Sequence, residues 1–157
     1  MNPDYIIAID PGCSGAAAVI DPTTREIEEI RPFISPRDLS SFFSDWARVS
    51  PNITVVIEKI HPSPVQGPSS AGAMMLNYGY WIMAALAYLP RSELREVTPQ
   101  EWQKPFKLTS KGSERKRDLK ALAQAIYSDG RVTLTNCDAI LLAHAACDRL
   151  SMGKLHG

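Results

Sequence analysis

The chain has 157 residues, 45% of them apolar and 22% charged, and 17 Lys and Arg balance 17 Asp and Glu. This length supports one domain with a sizeable core, and the composition is that of an ordinary soluble globular protein. No apolar run reaches the roughly 18 residues of a membrane span. The start, "MNPDYII", has neither a signal-peptide core behind a basic cluster nor Arg-rich transit character, so a cytoplasmic protein is expected. Cys13, Cys137 and Cys147 form no C-x-x-C pair, and they read as reduced core residues rather than a disulfide framework.

In chain order, "YIIAID" (5–10) and "GAAAVI" (15–20) are apolar strands joined by a Pro-Gly-Cys-Ser turn, the pattern of an antiparallel hairpin. "TTREIEEIRPFI" (23–34) alternates from Ile27 as a half-exposed third strand. Ser35-Pro36 opens a helix whose Leu39, Phe42, Phe43, Trp46 and Val49 recur at helical intervals. "ITVVIE" (53–58) is a strand buried on both faces, able to lie parallel beside the first.

"HPSPVQGPSS" (61–70) predicts an irregular loop, and "AGAMMLNYGYWIMAALAYL" (71–89) a long helix, apolar nearly all round. A strand over 93–97 and a Thr-capped helix over 98–106 follow. Helices over 113–127 and 136–150 close the domain, leaving 151–157 as a frayed tail. The expected architecture is a single α/β domain over residues 1–150, with a central mixed five-stranded sheet flanked by helices.

The balanced charge argues at first against a nucleic-acid partner. Its distribution argues for one. Lys104, Lys107, Lys111, Arg115, Lys116, Arg117, Lys120 and Arg131 face only Glu114, Asp118 and Asp129 across residues 104–131. Such a basic segment on a neutral chain suits local phosphate binding, and equally a solvated helix face.

The chemistry concentrates at strand ends. Asp10 closes the first strand and Glu58 closes the fourth; as parallel neighbours these strands end at the same sheet edge, about 4.8 Å apart. That edge is where open α/β sheets place ligands. Asp138 opens an apolar helix that packs on the same sheet, where the helix N-terminus favours an anion. Asp10 alone reads as a turn former and Asp138 alone as a helix cap, but Glu58 has neither job. Carboxylates gathered there would repel by roughly 4 kcal/mol per pair at 4 Å with an effective dielectric of 20. Hard divalent cations remove that penalty, Mg²⁺ by default and Mn²⁺ as a substitute. Two such ions per site suit phosphodiester hydrolysis.

The ordered set "IAIDPGCSGAAAVI", "VVIEKIHP", "QGPSSAGAMMLNYGYW", "TPQEWQKPF" with "KGSERK", and "CDAILLAHAA" resembles the motifs of RuvC-type Holliday junction resolvases, in particular the phage-like and chloroplast branch. The resemblance spans about residues 5–148. It implies a ribonuclease H-like fold, a homodimer, Mg²⁺ dependence and paired symmetric nicking of four-way DNA junctions in a bacterial or phage-infected cell. By motif, Asp10, Glu58 and Asp138 would be the catalytic and metal-binding carboxylates, with Lys116 assisting at the scissile phosphate and Lys111 beside it. One departure stands out. The family carries a further acidic or His ligand three or four residues before the helix carboxylate, where this chain has Leu134 and Thr135. Asn136 is the nearest substitute ligand and Asp129 a more distant one.

For DNA, Lys59, His61, Lys104, Lys107, Lys111, Arg115, Lys116 and Arg117 are the candidate contacts, with His61 in the place of an expected stacking aromatic. For the dimer, the girth of helix 71–89 points to Met74, Met75, Tyr78, Tyr80, Trp81 and Ile82. Two other readings stay open: a junction-binding protein that cuts weakly or not at all, given Thr135, and a ribonuclease H-like nuclease for RNA–DNA hybrids.

Overall fold

In the computed structural model, which describes residues 2–12, 14–128 and 131–152, the expected hairpin is formed by β1 (Tyr5–Asp10) and β2 (Ala16–Ile20). They pair antiparallel, and β3 (Ile27–Pro32) continues the meander on β2. Helix α1 (Pro36–Val49) crosses to β4 (Ile53–Glu58), which lies parallel to β1. Helix α2 (Pro68–Tyr88) then returns the chain to β5 (Glu93–Val97), parallel to β4. The result is the mixed five-stranded sheet in the order β3-β2-β1-β4-β5. Helices α3 (Pro99–Gln103), α4 (Gly112–Ile126) and α5 (Cys137–Ser151) complete the fold. Cys13, Asp129 and residues 153–157, each part of an expectation above, lie outside the described residues.

Strand alternation divides the interior into two layers. Ile7, Ile9, Val55 and Ile57 face α1 and α2, packing with Phe42, Phe43 and Trp81. Ile6, Ala8, Ala18 and Val56 face the other way, against α5 and residues of α3 and α4. The alanines and Cys147 that make α5 small-sided are buried in this second layer, so the helix sits close over β1 and β2. Cys137 and Cys147 are buried free thiols.

Local signals set the helix ends. Ser35 caps α1, its Oγ accepting from Asp38 N at 3.1 Å, with Pro36 at the first turn. Thr98 and Glu101 form a reciprocal capping box on α3. The stretch read as one helix over 98–106 is instead α3 plus a 3₁₀ turn, Lys104–Phe106. Pro105 has no N–H to continue the α ladder. Helix α2 also begins three residues earlier than its composition implied, because Pro68 is a favourable first helical residue behind Gly67. Among the described residues, no helix is long and apolar enough to cross a membrane.

Helix α2 is apolar all round in sequence, yet it has two distinct faces. Tyr78, Trp81 and Ala85 are buried in the chain's own core, whereas Met75, Leu76, Met83 and Leu86 are exposed. Tyr78 and Trp81 therefore cannot be dimer-contact residues, since packing against α1 and the sheet already covers them. Tyr80 and Ile82 are half-buried against the same core, and Tyr80 stacks on Phe33.

Candidate active site

The β1–β4 register pairs Ile9 with Ile57, so Asp10 and Glu58 occupy successive positions at the same edge. Ile6 and Ala8 face α5, as does Val56; by the two-residue period Asp10 and Glu58 project to that face too. Helix α5 covers it and brings Asp138 in its first turn.

The turn after Asp10 is tightly held. Asp10 Oδ1 accepts the Gly12 N–H at 3.2 Å, and Gly12 O accepts from the buried Asn77 Nδ2 on α2 at 3.1 Å. A Cβ on Gly15 would lie 2.1 Å from the Asp10 carbonyl oxygen. Only glycine lets β2 start that close to the end of β1.

Burial and mutual repulsion dominate the electrostatics. Burial, then the nearby Asp138 charge, pushes the Asp10 carboxyl up to about 6, against the Gly12 hydrogen bond and Lys116. Burial, then the charge of Asp10, pushes Glu58 up to about 7; Asp138 adds to the rise, while Trp102 and Lys116 oppose it. Lys116 Nζ pairs with Asp138 Oδ2 at 2.5 Å. Burial alone would lower the Lys116 pKa, but the hydrogen bond and charge of Asp138 outweigh it and hold the ammonium above its ordinary value. The Cys137 thiol, 3.4 Å from Asp138 Oδ1, is pushed up to about 12, chiefly by burial and next by Asp138. It is protonated and inert at neutral pH.

Asp10, Glu58, Asp138 and Lys116 thus form one electrostatic unit. Its carboxylates do not close into a cage: among the described residues, no three His, Cys, Asp or Glu side chains are gathered as a ready metal site. Glu58 Oε2 accepts the Trp102 indole N–H at 2.6 Å, and Asp138 Oδ2 is turned to Lys116. The donor set nevertheless suits a hard divalent cation. It offers oxygen ligands alone, and two of its members are pushed up by burial first and by neighbouring carboxylate charge second, costs that a bound cation would offset.

Other predicted residues fall into place differently. Asn136 does not present its amide to this unit: Oδ1 accepts from Thr133 N at 2.7 Å and Nδ2 donates to Arg131 O at 2.8 Å, so both ends close the turn before α5. Thr135 is exposed, its hydroxyl 2.8 Å from that of Thr133. Lys59 and His61 are exposed on the segment leaving Glu58, and Lys104, Lys107, Lys111 and Arg117 are exposed around α3 and α4. Arg115 braces instead. Its Nε donates to Gln103 Oε1 at 2.9 Å and one terminal nitrogen to Ser110 O at 3.1 Å, fixing the α3–α4 connection.

The sequence reading missed Trp102, the partner of Glu58, and Asn77, which anchors the Asp10 turn. The Thr98–Glu101 capping box fixes the helix that carries Trp102. Nothing in the local pattern says that its ring reaches β4.

No protein-family model and no curated protein matches the chain. Solved structures do. The chain is similar to a Thermus thermophilus RuvC in complex with a Holliday junction substrate (TM-score 0.72, 11% identity, 96% of each chain). It is also similar to a second Thermus thermophilus RuvC structure (TM-score 0.67, 11% identity, 96% of this chain and 97% of that one). The yeast mitochondrial Holliday junction resolvase Ydc2 matches at TM-score 0.56 and 10% identity, over 99% of this chain and 86% of that one. At these identities the likeness establishes the fold: the chain has the α/β, ribonuclease H-like fold of RuvC.

Proposed function

We propose that the chain is a metal-dependent DNA endonuclease that resolves four-way junctions. The observation that carries the reading is the cluster at the sheet edge, where Asp10 and Glu58 are buried close to each other and to Asp138, and Lys116 pairs with Asp138. The shared fold, with a neighbour described in complex with a Holliday junction substrate, supports the choice of DNA.

Asp10, Glu58 and Asp138 would hold two Mg²⁺ ions, or Mn²⁺ in their place. Bound there, these supply charge neutralisation and a more acidic water for attack on a phosphodiester. Lys116 sets the orientation of Asp138 and brings a positive charge to the edge where the scissile phosphate must sit. Trp102 and the Gly12 N–H fix Glu58 and Asp10. Water adds to phosphorus and the bond to the 3′ oxygen breaks, leaving 5′-phosphate and 3′-hydroxyl ends. The exposed Lys59, Lys104, Lys107, Lys111 and Arg117 meet the phosphates of the junction arms, making binding salt-sensitive, and His61 lies beside them.

The exposed Met75, Leu76, Met83 and Leu86 on α2 support a homodimer joined through that face, with Met74 at its border. Two-fold symmetry there would present two sites for paired nicks. The motifs continue to favour the phage-like and chloroplast branch. A second reading is junction binding without cutting, raised by the engagement of Thr135 and Asn136 in their own turn. Incubating a mobile four-way junction with Mg²⁺ or Mn²⁺ separates them, since the nuclease gives paired nicked products and the binder gives only a shifted band. A ribonuclease H-like activity would instead prefer an RNA–DNA hybrid over the junction.

A further inference from the structure

β3 forms one border of the sheet, and among the described residues it pairs with β2 alone. Phe33 N donates to Gly15 O on the β2 side at 2.9 Å. Antiparallel alternation then turns Arg31 toward β2 and leaves Ile30 with its N–H and C=O directed outward. Beside this border runs a groove. β3 from Arg25 to Pro32 forms one wall; Ile126 and Tyr127 at the end of α4, with His144 of α5 and Thr133, form the other. It is made of two cavities, of about 410 and about 360 Å³, that share Glu28 and Tyr127 as walls. At roughly 3.3 Å per strand residue it is about 23 Å long, room for an extended segment of some seven residues.

Its charge is one-sided. Residues 21–29 hold Asp21, Glu26, Glu28 and Glu29 against Arg25. Asp148 matches Arg25 at 2.6 Å, and Glu29 is turned to Arg31 and the Trp46 indole N–H. Glu26 and Glu28 remain, exposed on the groove wall and in no ion pair among the described residues. Arg131 stands toward the catalytic end, where it donates to the Tyr127 hydroxyl at 3.2 Å. Ile126 adds an apolar surface that is 43% exposed.

These features discriminate among occupants. Exposed carboxylates repel phosphates, and the exposed Lys104, Lys107 and Lys111 lie on the opposite flank, beyond β4 and β5. A second copy pairing through its own β3 would set like charges along one short seam, a device by which strand edges resist self-pairing. A cationic extended chain meets every group: the outward backbone of Ile30, the two carboxylates and the apolar wall.

We propose that β3 and its groove bind an extended, Lys- or Arg-bearing segment of another protein by strand addition. Ile30 supplies main-chain hydrogen bonds, Glu26 and Glu28 take cationic side chains, and alternate apolar side chains rest on Ile126 and Tyr127. A partner held there reaches toward the catalytic edge and leaves the basic flank to DNA. The site uses none of Asp10, Glu58 or Asp138, so it stands apart from the nuclease reading.

The test is calorimetry of the full chain with the peptide Lys-Val-Lys-Val-Lys-Val-Lys and with its Glu-Val counterpart, together with amide exchange followed by NMR. Wild type should bind the Lys-Val peptide and not the Glu-Val one, and the complex should slow exchange of the Ile30 amide. Glu26→Lys with Glu28→Lys should weaken binding roughly tenfold, and Glu28→Gln by a smaller factor. Both positions are exposed, so the variants should keep the wild-type melting temperature. Junction affinity should be equal or higher in the double variant. No binding of the Lys-Val peptide, equal binding by wild type and both variants, or an Ile30 amide that exchanges as fast in the complex overturns the proposal. A lower junction affinity in the double variant would give the groove to DNA, and a loss of self-association there would give it to a second copy; either overturns it. Failure to cut a junction bears on the nuclease reading and leaves the peptide result standing.

Discussion

Replacing Trp102 by Phe removes one hydrogen bond and little else at the candidate site. The ring is 1% exposed, packs edge-on against Phe106 with centroids 6.3 Å apart, and donates to Glu58 Oε2 at 2.6 Å. That bond stabilises the ionised form of Glu58, whose carboxyl burial and Asp10 already push up to about 7. A hydrogen bond to a charged group contributes roughly 1.5–3 kcal/mol, and each pKa unit corresponds to about 1.36 kcal/mol. Trp102→Phe should therefore raise the Glu58 pKa by about one to two units. At pH 7 the ionised fraction would fall from about half to roughly 1–10%. Carbon-13 NMR of the glutamate carboxyls in metal-free protein reads the titration directly. Calorimetry with Mg²⁺ or Mn²⁺ at pH 7 should show binding weaker by roughly fivefold to fiftyfold. A folded variant whose Glu58 titrates as in wild type, with unchanged cation affinity, would refute the reasoning.

Further expectations follow from the same geometry. Asp10 and Glu58 have folded pKa values above their ordinary ones, so between about pH 4 and 7 the folded metal-free protein binds more protons than the unfolded chain. The associated stability is fully present below that window and is lost as pH rises through it. Urea unfolding in chelator should show a falling stability from pH 5 to 7.5, with a smaller fall in Glu58→Gln; a flat or rising trend would contradict it. Lys116→Met strips Asp138 of its 2.5 Å partner. It should cost about 1–3 kcal/mol without metal, after discounting for the partial exposure of the lysine. A divalent cation should then raise the melting temperature more in the variant than in wild type, and an equal rise in both would count against Lys116 as the counter-charge. On α2, Met83→Glu with Leu86→Glu should leave the fold intact and shift sedimentation toward monomer, whereas Trp81→Ala should cost about 3–5 kcal/mol of stability. A sedimentation profile unchanged by the double charge substitution would remove the proposed dimer face.

Much of this was legible in the sequence because local and global signals agree. The near-continuous apolar runs of β1 and β4 set both strands and, through parallel pairing, the shared edge of Asp10 and Glu58. Ser35-Pro36 and Thr98-Pro99 marked helix starts that the structure keeps. What stayed hidden depends on side chains meeting across elements. The girth of α2 could not say which of its apolar residues face the core, and Tyr78 and Trp81 proved internal. Asn136 reads as a ligand from its spacing to Asp138, yet its amide is closer to backbone groups in its own turn. Arg115 reads as one of several cations, but Gln103 and Ser110 hold it. Trp102 carries no sign of its partner 44 positions earlier, because nothing local encodes a contact between α3 and the end of β4.

The most direct test of the account is nicking of a mobile four-way junction by wild type and Asp10→Asn side by side, with Mg²⁺ and with Mn²⁺. The account expects symmetric paired nicks from wild type, and from Asp10→Asn a bound junction left uncut. Wild type that binds the junction but yields no product with either metal, or Asp10→Asn that cuts as fast as wild type, would contradict it.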